Sequence, residues 1–504
     1  MNRHYGRIRQ LFRQLGLRDS LKHLWTYSLH IAYGYGLPFE YRHSQEAGKP
    51  ITLKDHVYDF HLDLHAREVL LHAGKSDGAT HTLKSYTDLA PAHNAILAQV
   101  NSASAKTKDV YLELHRIGHQ QISAFDRPDM RYIGRYWSFY RREPVASFVH
   151  QALGMTVLEY FLFATASLTM FLRRPETDLI RDLAPLGLPH DALMDRISAV
   201  SATPIHMRDL QIKRQCFGDS WSYTLNPLAE RPLIQMSPNE PRLLTCPRPP
   251  LLVRRLFSGL YYDLVKVSGF DKAFGDSVEH LVGELIARSA GVLNPVKPDS
   301  YHTRSGIKHG TDWILSDATG HAFVECKTAR IPLAAKVAAT PDELSKGLSR
   351  LADAVVQNYQ NVCDAIAEKT SWTPTGMPVF SLIVTLEDWV LFSEIATKTL
   401  DSLVRVKLAA KGLSSELMVQ TPYLVASVRD IPNLTRAFAE TGISDVFTSK
   451  TSEQYDGHLV SSFLDVDKGP VDVADSIFTE DFEVLMKEFR NHYEPPSPLT
   501  GSTS

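Results

Sequence analysis

The chain has 504 residues, 44% hydrophobic and 22% charged, an ordinary globular composition and enough length for two or three domains. A formal net charge of -3 excludes a polybasic protein, so any nucleic-acid surface has to be a local patch. The four cysteines, Cys216, Cys246, Cys326 and Cys363, form no C-x-x-C pair; this argues against a zinc ribbon, a thioredoxin motif or a disulfide framework and predicts a reducing, cytoplasmic setting.

Residues 1–230 are predicted to be mainly helical, a recognition or assembly domain. The N-terminus, MNRHYGRIRQLFRQLGLRDS, is basic but lacks the continuous apolar stretch of a secretory signal. The first 50 residues carry eight Lys and Arg against three Asp and Glu, open to a nucleic-acid contact but more simply a solvated amphipathic helix. HLDLH (His61, His65) and HRIGH (His115, His119) place histidines at i, i+4; neither contains H-E-x-x-H and no third ligand is identifiable, so they are read as structural. HAGKSDG lacks the first glycine of a P-loop, so no ATP is expected. ALGMTVLEYFLFATASLTMFL, residues 152–172, has about the length of a membrane span, but Glu159 would be costly in lipid. A buried central helix is expected there, and no membrane.

The proline-rich stretch RPLIQMSPNEPRLLTCPRPP opens a linker or hairpin region, 231–265, and residues 266–490 then alternate helix and strand. FGDSVEHLVGELIARSAG has one apolar stripe (Val278, Leu281, Val282, Leu285, Ile286) and stops at Gly291. A weaker strand is expected around Leu293 to His302, followed by TDWILS and HAFVECKT. Thr340, Pro341 and Glu343 open a long helix, a strand follows at 378–386, a helix near 394–412, and a further strand at 423–428. This order predicts a mixed sheet covered by helices on both faces. The tail, 491–504, is expected to be disordered.

GTDWILSDATGHAFVECKTAR, residues 310–330, carries the chemistry. If the strands close through Ala318-Thr319, or through the four residues Asp317 to Gly320, Ile314 faces Phe323, Trp313 faces Val324 and Asp312 faces Glu325. Opposed side chains lie about 5 Å apart on one face, and Lys327 shares the face of Glu325. A three-residue loop would shift the register and separate the carboxylates. Two carboxylates this close repel unless a proton or a metal lies between them. Hard oxygen ligands suit Mg²⁺ or Mn²⁺, which can activate water and orient a phosphate oxygen. The alternative is an exposed cross-strand salt-bridge ladder.

The D-x12-E-x-K spacing (Asp312, Glu325, Lys327), the order of elements and the FGDSVE helix opening resemble the PD-(D/E)XK nuclease superfamily, its restriction-endonuclease-like and Mrr-like members in particular, over residues 270 to about 390. The resemblance implies an α/β restriction-endonuclease-like αβββαβ core within an α+β chain, and a metal-dependent DNA endonuclease, with restriction or anti-phage defence as the setting. Asp312, Glu325, the backbone carbonyl of Cys326 and Glu279 would hold Mg²⁺ or Mn²⁺, and Lys327 would position or deprotonate the attacking water. Thr311 stands where the family name has proline. Glu279 has a second reading, as the end of an Asp276-x-x-Glu279 capping box. Lys308, His309, Arg330 and Lys336 are candidate phosphate contacts, and Gln357 a candidate support for the lysine or phosphate, with ordinary surface positions as the alternative. A non-catalytic nucleic-acid-binding or scaffolding module that keeps the fold, or an RNase, remains open, as does a homodimer or a partner protein.

Overall fold

The computed structural model describes residues 3–38, 53–74, 79–105, 109–121, 126–237, 239–240, 242–303, 306–392, 394–467, 469 and 473–493. The chain is a mixture of helices and small mixed sheets and divides into two compact units. One comprises residues 1–108, 123–270 and 482–504, and the other 109–122 and 271–481. The division is therefore not sequential, and helix Val110–Gln120 is part of the second unit, where His115 Nε2 lies 2.9 Å from the Ala335 carbonyl.

In the first unit, the basic N-terminal run forms helix Arg3–Arg13, whose buried face is Tyr5, Ile8 and Phe12, as expected of an amphipathic helix. Strands Leu233–Gln235 and Leu243–Thr245 pair antiparallel, with Ile234 opposite Thr245, inside a four-stranded sheet. The stretch that follows is tied into the unit: the buried Arg248 donates to Asp63 and Asp59, each at 2.7 Å, and to Ser28 Oγ at 2.8 Å.

The 152–172 segment is not one helix. Gly154 takes a left-handed conformation and ends helix Val145–Leu153, and Thr156 caps helix Val157–Arg173. Glu159 closes a capping box, its Oε2 accepting the Thr156 N–H at 2.7 Å. Among the described residues no single helix is long and apolar enough to cross a membrane; these two helices meet the length and composition test only as a pair bent by 67°.

His61, His65 and His93 form a buried cluster, with His65 Nε2 3.3 Å from His93 Nδ1. Burial disfavours the charged form and, for His61 and His65, so does histidine neighbouring histidine; the proton affinity of all three is lowered, that of His61 to about 3. The unfolded chain, titrating near 6.5, binds more protons than the fold below that pH, so this contribution is present above pH 6.5 and lost as pH falls through it. Thermal unfolding between pH 6.5 and 4 should show a shallower acid loss in His65→Phe than in wild type, by more than about 1 kcal/mol; parallel curves would contradict this.

The second unit is built on a four-stranded sheet. Strand Trp313–Ser316 runs antiparallel to His321–Lys327, which is parallel to Val379–Thr385, which is parallel to Tyr423–Ser427. Helix Pro341–Ile366 starts at Thr340, whose Oγ1 accepts the Glu343 N–H, and covers one face together with helix Glu394–Ala410. Helix Phe270–Ser289 lies on the other face beneath Trp313, and Phe447 of helix Ile443–Lys450 stacks on Phe380 there at 4.6 Å. The strand expected around 293–302 is reduced to a single antiparallel bridge, Val296 to Ile314. Pro295 and Pro298 bracket it, and neither can donate to a ladder. Tyr301–Thr303 pairs instead with Gly306–Lys308 in a separate hairpin.

Gly283 lets the 270–289 helix approach this sheet: a Cβ there would lie 2.4 Å from Trp313 Cζ2. Gly283→Ala is expected to destabilise the protein by about 1–3 kcal/mol and to shift tryptophan emission. An unchanged melting temperature together with an unchanged spectrum would refute the close approach.

Candidate active site

The hairpin has the expected register as far as Trp313, and Asp312, the residue before the ladder, lies beside the end of strand His321–Lys327, where it meets the Cys326 N–H. Trp313 pairs with Val324, Ile314 with Phe323, Leu315 with Ala322 and Ser316 with His321. The turn explains it. The Asp317 N–H donates to the Gly320 carbonyl, while Asp317 Oδ1 accepts the N–H groups of Thr319 (2.6 Å) and Gly320 (3.0 Å). The other carboxylate oxygen accepts the Ile443 N–H at 2.7 Å, so the turn also caps a helix. These donors hold the Asp317 carboxyl below the usual aspartate range against the opposing effect of its partial burial. Both faces of the hairpin are buried, since Ile314 and Phe323 pack on Val362 while Leu315, Ala322 and Val324 are also enclosed.

The first strand bends at Asp312, where the Asp312 N–H donates to the Val324 carbonyl at 3.0 Å. Thr311 Oγ1 lies 2.6 Å from the same carbonyl and 3.0 Å from Asn358 Oδ1. A threonine at this place thus makes side-chain bonds that a proline could not. Asp312 Oδ2 accepts the Cys326 N–H at 2.6 Å, leaving Oδ1 for another partner. Residues 321, 323, 325 and 327 face strand 379–385 in the backbone ladder, so the N–H and carbonyl of Cys326 leave the opposite edge, beside Asp312.

Glu325 is 2% exposed, at the end of its strand. Lys327 Nζ donates to its Oε1 at 2.5 Å, and Asn361 Nδ2 approaches Oε2 at 3.5 Å from the 341–366 helix. Glu279 lies in the middle of helix Phe270–Ser289, well past its start, so the capping-box reading does not apply. Its Oε1 is 2.5 Å from Lys297 Nζ, and its charge reaches both other carboxylates.

Electrostatics marks the pair. Burial first, then the charges of Glu325 and Glu279, push the Asp312 carboxyl up to about 7, against the Cys326 N–H and Lys327. Burial also raises Glu325, with Lys327 opposing it and Glu279 reinforcing it. Burial and then these carboxylates push the Cys326 thiol well above its ordinary pKa, which disfavours the thiolate. As the side chains stand, no three His, Cys, Asp or Glu among the described residues are gathered to hold a metal ion. In donor chemistry Asp312 and Glu325 nevertheless suit a hard divalent cation: they are two partly desolvated carboxylates in a region of excess negative charge. Recruiting Glu279 would require it to leave Lys297.

The basic candidates are engaged. Lys308 Nζ is 2.7 Å from Asp364 Oδ2, and His309 Nδ1 is 2.9 Å from Ser300 Oγ. Arg330 and Lys336 meet on Glu387, at 2.9 and 3.8 Å. Gln357 is exposed, and the residues of its helix that face the site are Asn358 and Asn361. Asn358 Nδ2 donates to the Phe323 carbonyl and to Ser381 Oγ, both at 2.8 Å, and so fixes the helix against two strands. Their signal in the sequence was polar residues on an apolar stripe that includes Leu351, Val355, Val362 and Ala365. Lys297, between two prolines, gave no signal. His115 and His119 are buried, 4.6 Å apart.

Comparison of the chain with protein-family models, with curated proteins and with solved structures finds no match.

Proposed function

We propose that the second unit is a divalent-metal-dependent nuclease that hydrolyses phosphodiester bonds, with DNA as the substrate class. The observation that carries this reading is the pairing of half-buried Asp312 with buried Glu325, with Lys327 on the same strand end, the carboxylates raised in pKa by desolvation and by the surrounding negative charge. With strands Tyr301–Thr303 and Gly306–Lys308 and the short helix Leu333–Lys336 set aside as insertions, the succession of a helix, the Val296 bridge, two antiparallel strands, a helix and a parallel strand supports the αβββαβ, restriction-endonuclease-like assignment.

Asp312 Oδ1, a Glu325 oxygen and the Cys326 carbonyl would hold Mg²⁺ or Mn²⁺, with Glu279 as a further or water-mediated ligand. When bound, the ion would offset charge developing on the phosphate and lower the pKa of coordinated water. The chain's own part is positional. The Cys326 N–H fixes the Asp312 carboxylate, Asn361 supports Glu325, and the Lys327 ammonium orients the attacking water. Attack forms a P–O bond from that water and breaks the P–O bond to the leaving strand, which takes up a proton.

The experiment is incubation of the full chain with supercoiled and linear DNA and with RNA, in Mg²⁺, Mn²⁺ or EDTA. Metal-dependent cutting of DNA is expected. Cutting of RNA alone would replace the substrate class. No cutting of either, with nucleic-acid binding that survives EDTA and Glu325→Ala, would establish the non-catalytic module.

A further inference from the structure

The outer parallel strand, Tyr423–Ser427, is an edge of the second unit's sheet. The Ser381 N–H donates to the Pro422 carbonyl at 3.0 Å and the Val428 N–H to the Thr385 carbonyl at 2.8 Å, in a parallel register that pairs Tyr423 with Ser381. Residues 422, 424, 426 and 428 therefore bond inward, and the N–H and carbonyl groups of Tyr423, Val425 and Ser427 point away from the sheet. Asp430 closes the last of these. Its Oδ2 accepts the Ser427 N–H at 2.9 Å, and its own N–H donates to the Ser427 carbonyl at 2.9 Å. Two residues, Tyr423 and Val425, present an outward donor and acceptor each.

A cleft of about 380 Å³ runs along this edge, with all five strand residues as its floor. Pro422, Trp389, Leu400, Asp401, Asp456 and Leu459 also line it. Trp389 is 2% exposed, and its indole N–H has no hydrogen-bond partner among the described residues. The lining is acidic on balance: Asp388, Asp401, Asp430 and Asp456 stand against Arg405 and Lys450. Lys450 is partly desolvated and donates to the Tyr455 carbonyl, while Asp456 is exposed.

We propose that this cleft docks an extended polypeptide segment of a partner protein. The segment adds a strand beside Tyr423–Ser427, bonded to the outward groups of Tyr423 and Val425, with a Lys or Arg side chain directed to Asp456. A strand is favoured over a compact small molecule because the floor is a whole strand, roughly 16 Å long at 3.3 Å per residue, and offers backbone donors and acceptors at the two-residue strand repeat. The inference does not depend on the nuclease reading.

The test pans a displayed library of random twelve-residue peptides against the full chain and measures binding of the enriched peptide, made synthetically, by fluorescence anisotropy. Val425→Pro removes an outward donor without touching the inner ladder, as proline on an edge strand permits. It should weaken binding at least tenfold, and Asp456→Lys should weaken it several-fold. N-methylation of the peptide at one set of alternate residues should abolish binding to the wild-type chain, while the intervening set leaves it unchanged; this series stands even where Val425→Pro fails to fold. Failure to enrich any peptide, or binding indifferent to alternate N-methylation, overturns the proposal. So does a wild-type chain that sediments as a dimer and a Val425→Pro chain that does not, because the occupant is then a second copy.

Discussion

Replacing Lys327 with alanine is expected to lower the rate of metal-dependent phosphodiester cleavage by about 10²–10⁴-fold, with substrate binding largely retained. Lys327 Nζ lies 2.5 Å from Glu325 Oε1, at the end of the strand and 30% exposed, so its loss takes away the ammonium nearest the reacting centre without opening the core. Lys297→Ala is the matched control. It also frees a carboxylate, Glu279, but removes a cation that lies 2.5 Å from Glu279 and meets Asp312 only through space. If Glu279 is recruited to the metal, Lys297→Ala should keep activity and lower the metal concentration needed for it. Single-turnover cleavage with a metal titration reads both variants. A Lys327→Ala protein that cuts within a few-fold of wild type would end the proposed role.

The second large effect is on stability. Asp312 has its pKa raised to about 7 in the fold, against 3.8 as the ordinary value. A raised carboxylate contributes stability that is fully present below pH 3.8 and lost as pH rises through 7, because ionising it in the fold is unfavourable. Asp312→Asn keeps an oxygen to accept the Cys326 N–H and has no charge to bury. In EDTA at pH 8 it should be more stable than wild type, by on the order of 2–4 kcal/mol, and the gap should close as pH falls toward 4. Mg²⁺ or Mn²⁺ should raise the melting temperature of wild type at pH 8 and leave that of Asp312→Asn almost unchanged, since only the dianionic pair gains from the ion. Thermal denaturation across pH, with and without metal, checks each step. A wild-type chain that is the more stable at pH 8 in EDTA would mean that the carboxylates are not held in the unfavourable environment assigned to them.

The carboxylates of Asp312 and Glu325 act opposite in sign to the histidine cluster of the first unit. As pH falls from 7 to 4 the site gains stability while His61, His65 and His93 lose it. The whole-chain acid profile is therefore a compromise, and only variant-minus-wild-type differences isolate either contribution.

Much of the site was legible because its geometry is local. The four residues Asp317 to Gly320 contain the aspartate, threonine and glycine that close a tight turn, and the turn length sets which residues of the two strands face each other. The start of the 341–366 helix was legible for the same reason, since Thr340, Pro341 and Glu343 act within one turn of each other. The weak first strand was misjudged where two prolines interrupt an otherwise plausible extended run. Gln357 was a candidate through the family resemblance alone, and helical spacing already placed it off the apolar stripe. Asn358 and Asn361 face the strands, and Gln357 faces solvent. The tail expected from residue 491 begins inside helix Val473–Tyr493, and residues 494–504 lie outside the described residues.

By itself the sequence determined the hairpin register, the coincidence of Asp312, Glu325 and Lys327 on one short segment, and the alternation of helix and strand after residue 266, all consequences of contacts between near neighbours in the chain. Only the tertiary structure decided that Lys297 holds Glu279, that Asn361 reaches Glu325 and that helix Val110–Gln120 joins the second unit. It also decided that Arg330 and Lys336 are spent on Glu387, and that burial and shared charge raise the Asp312 carboxyl. Those outcomes depend on which surfaces exclude water and which charges are brought together across the fold, and a local pattern of residue types carries no record of either.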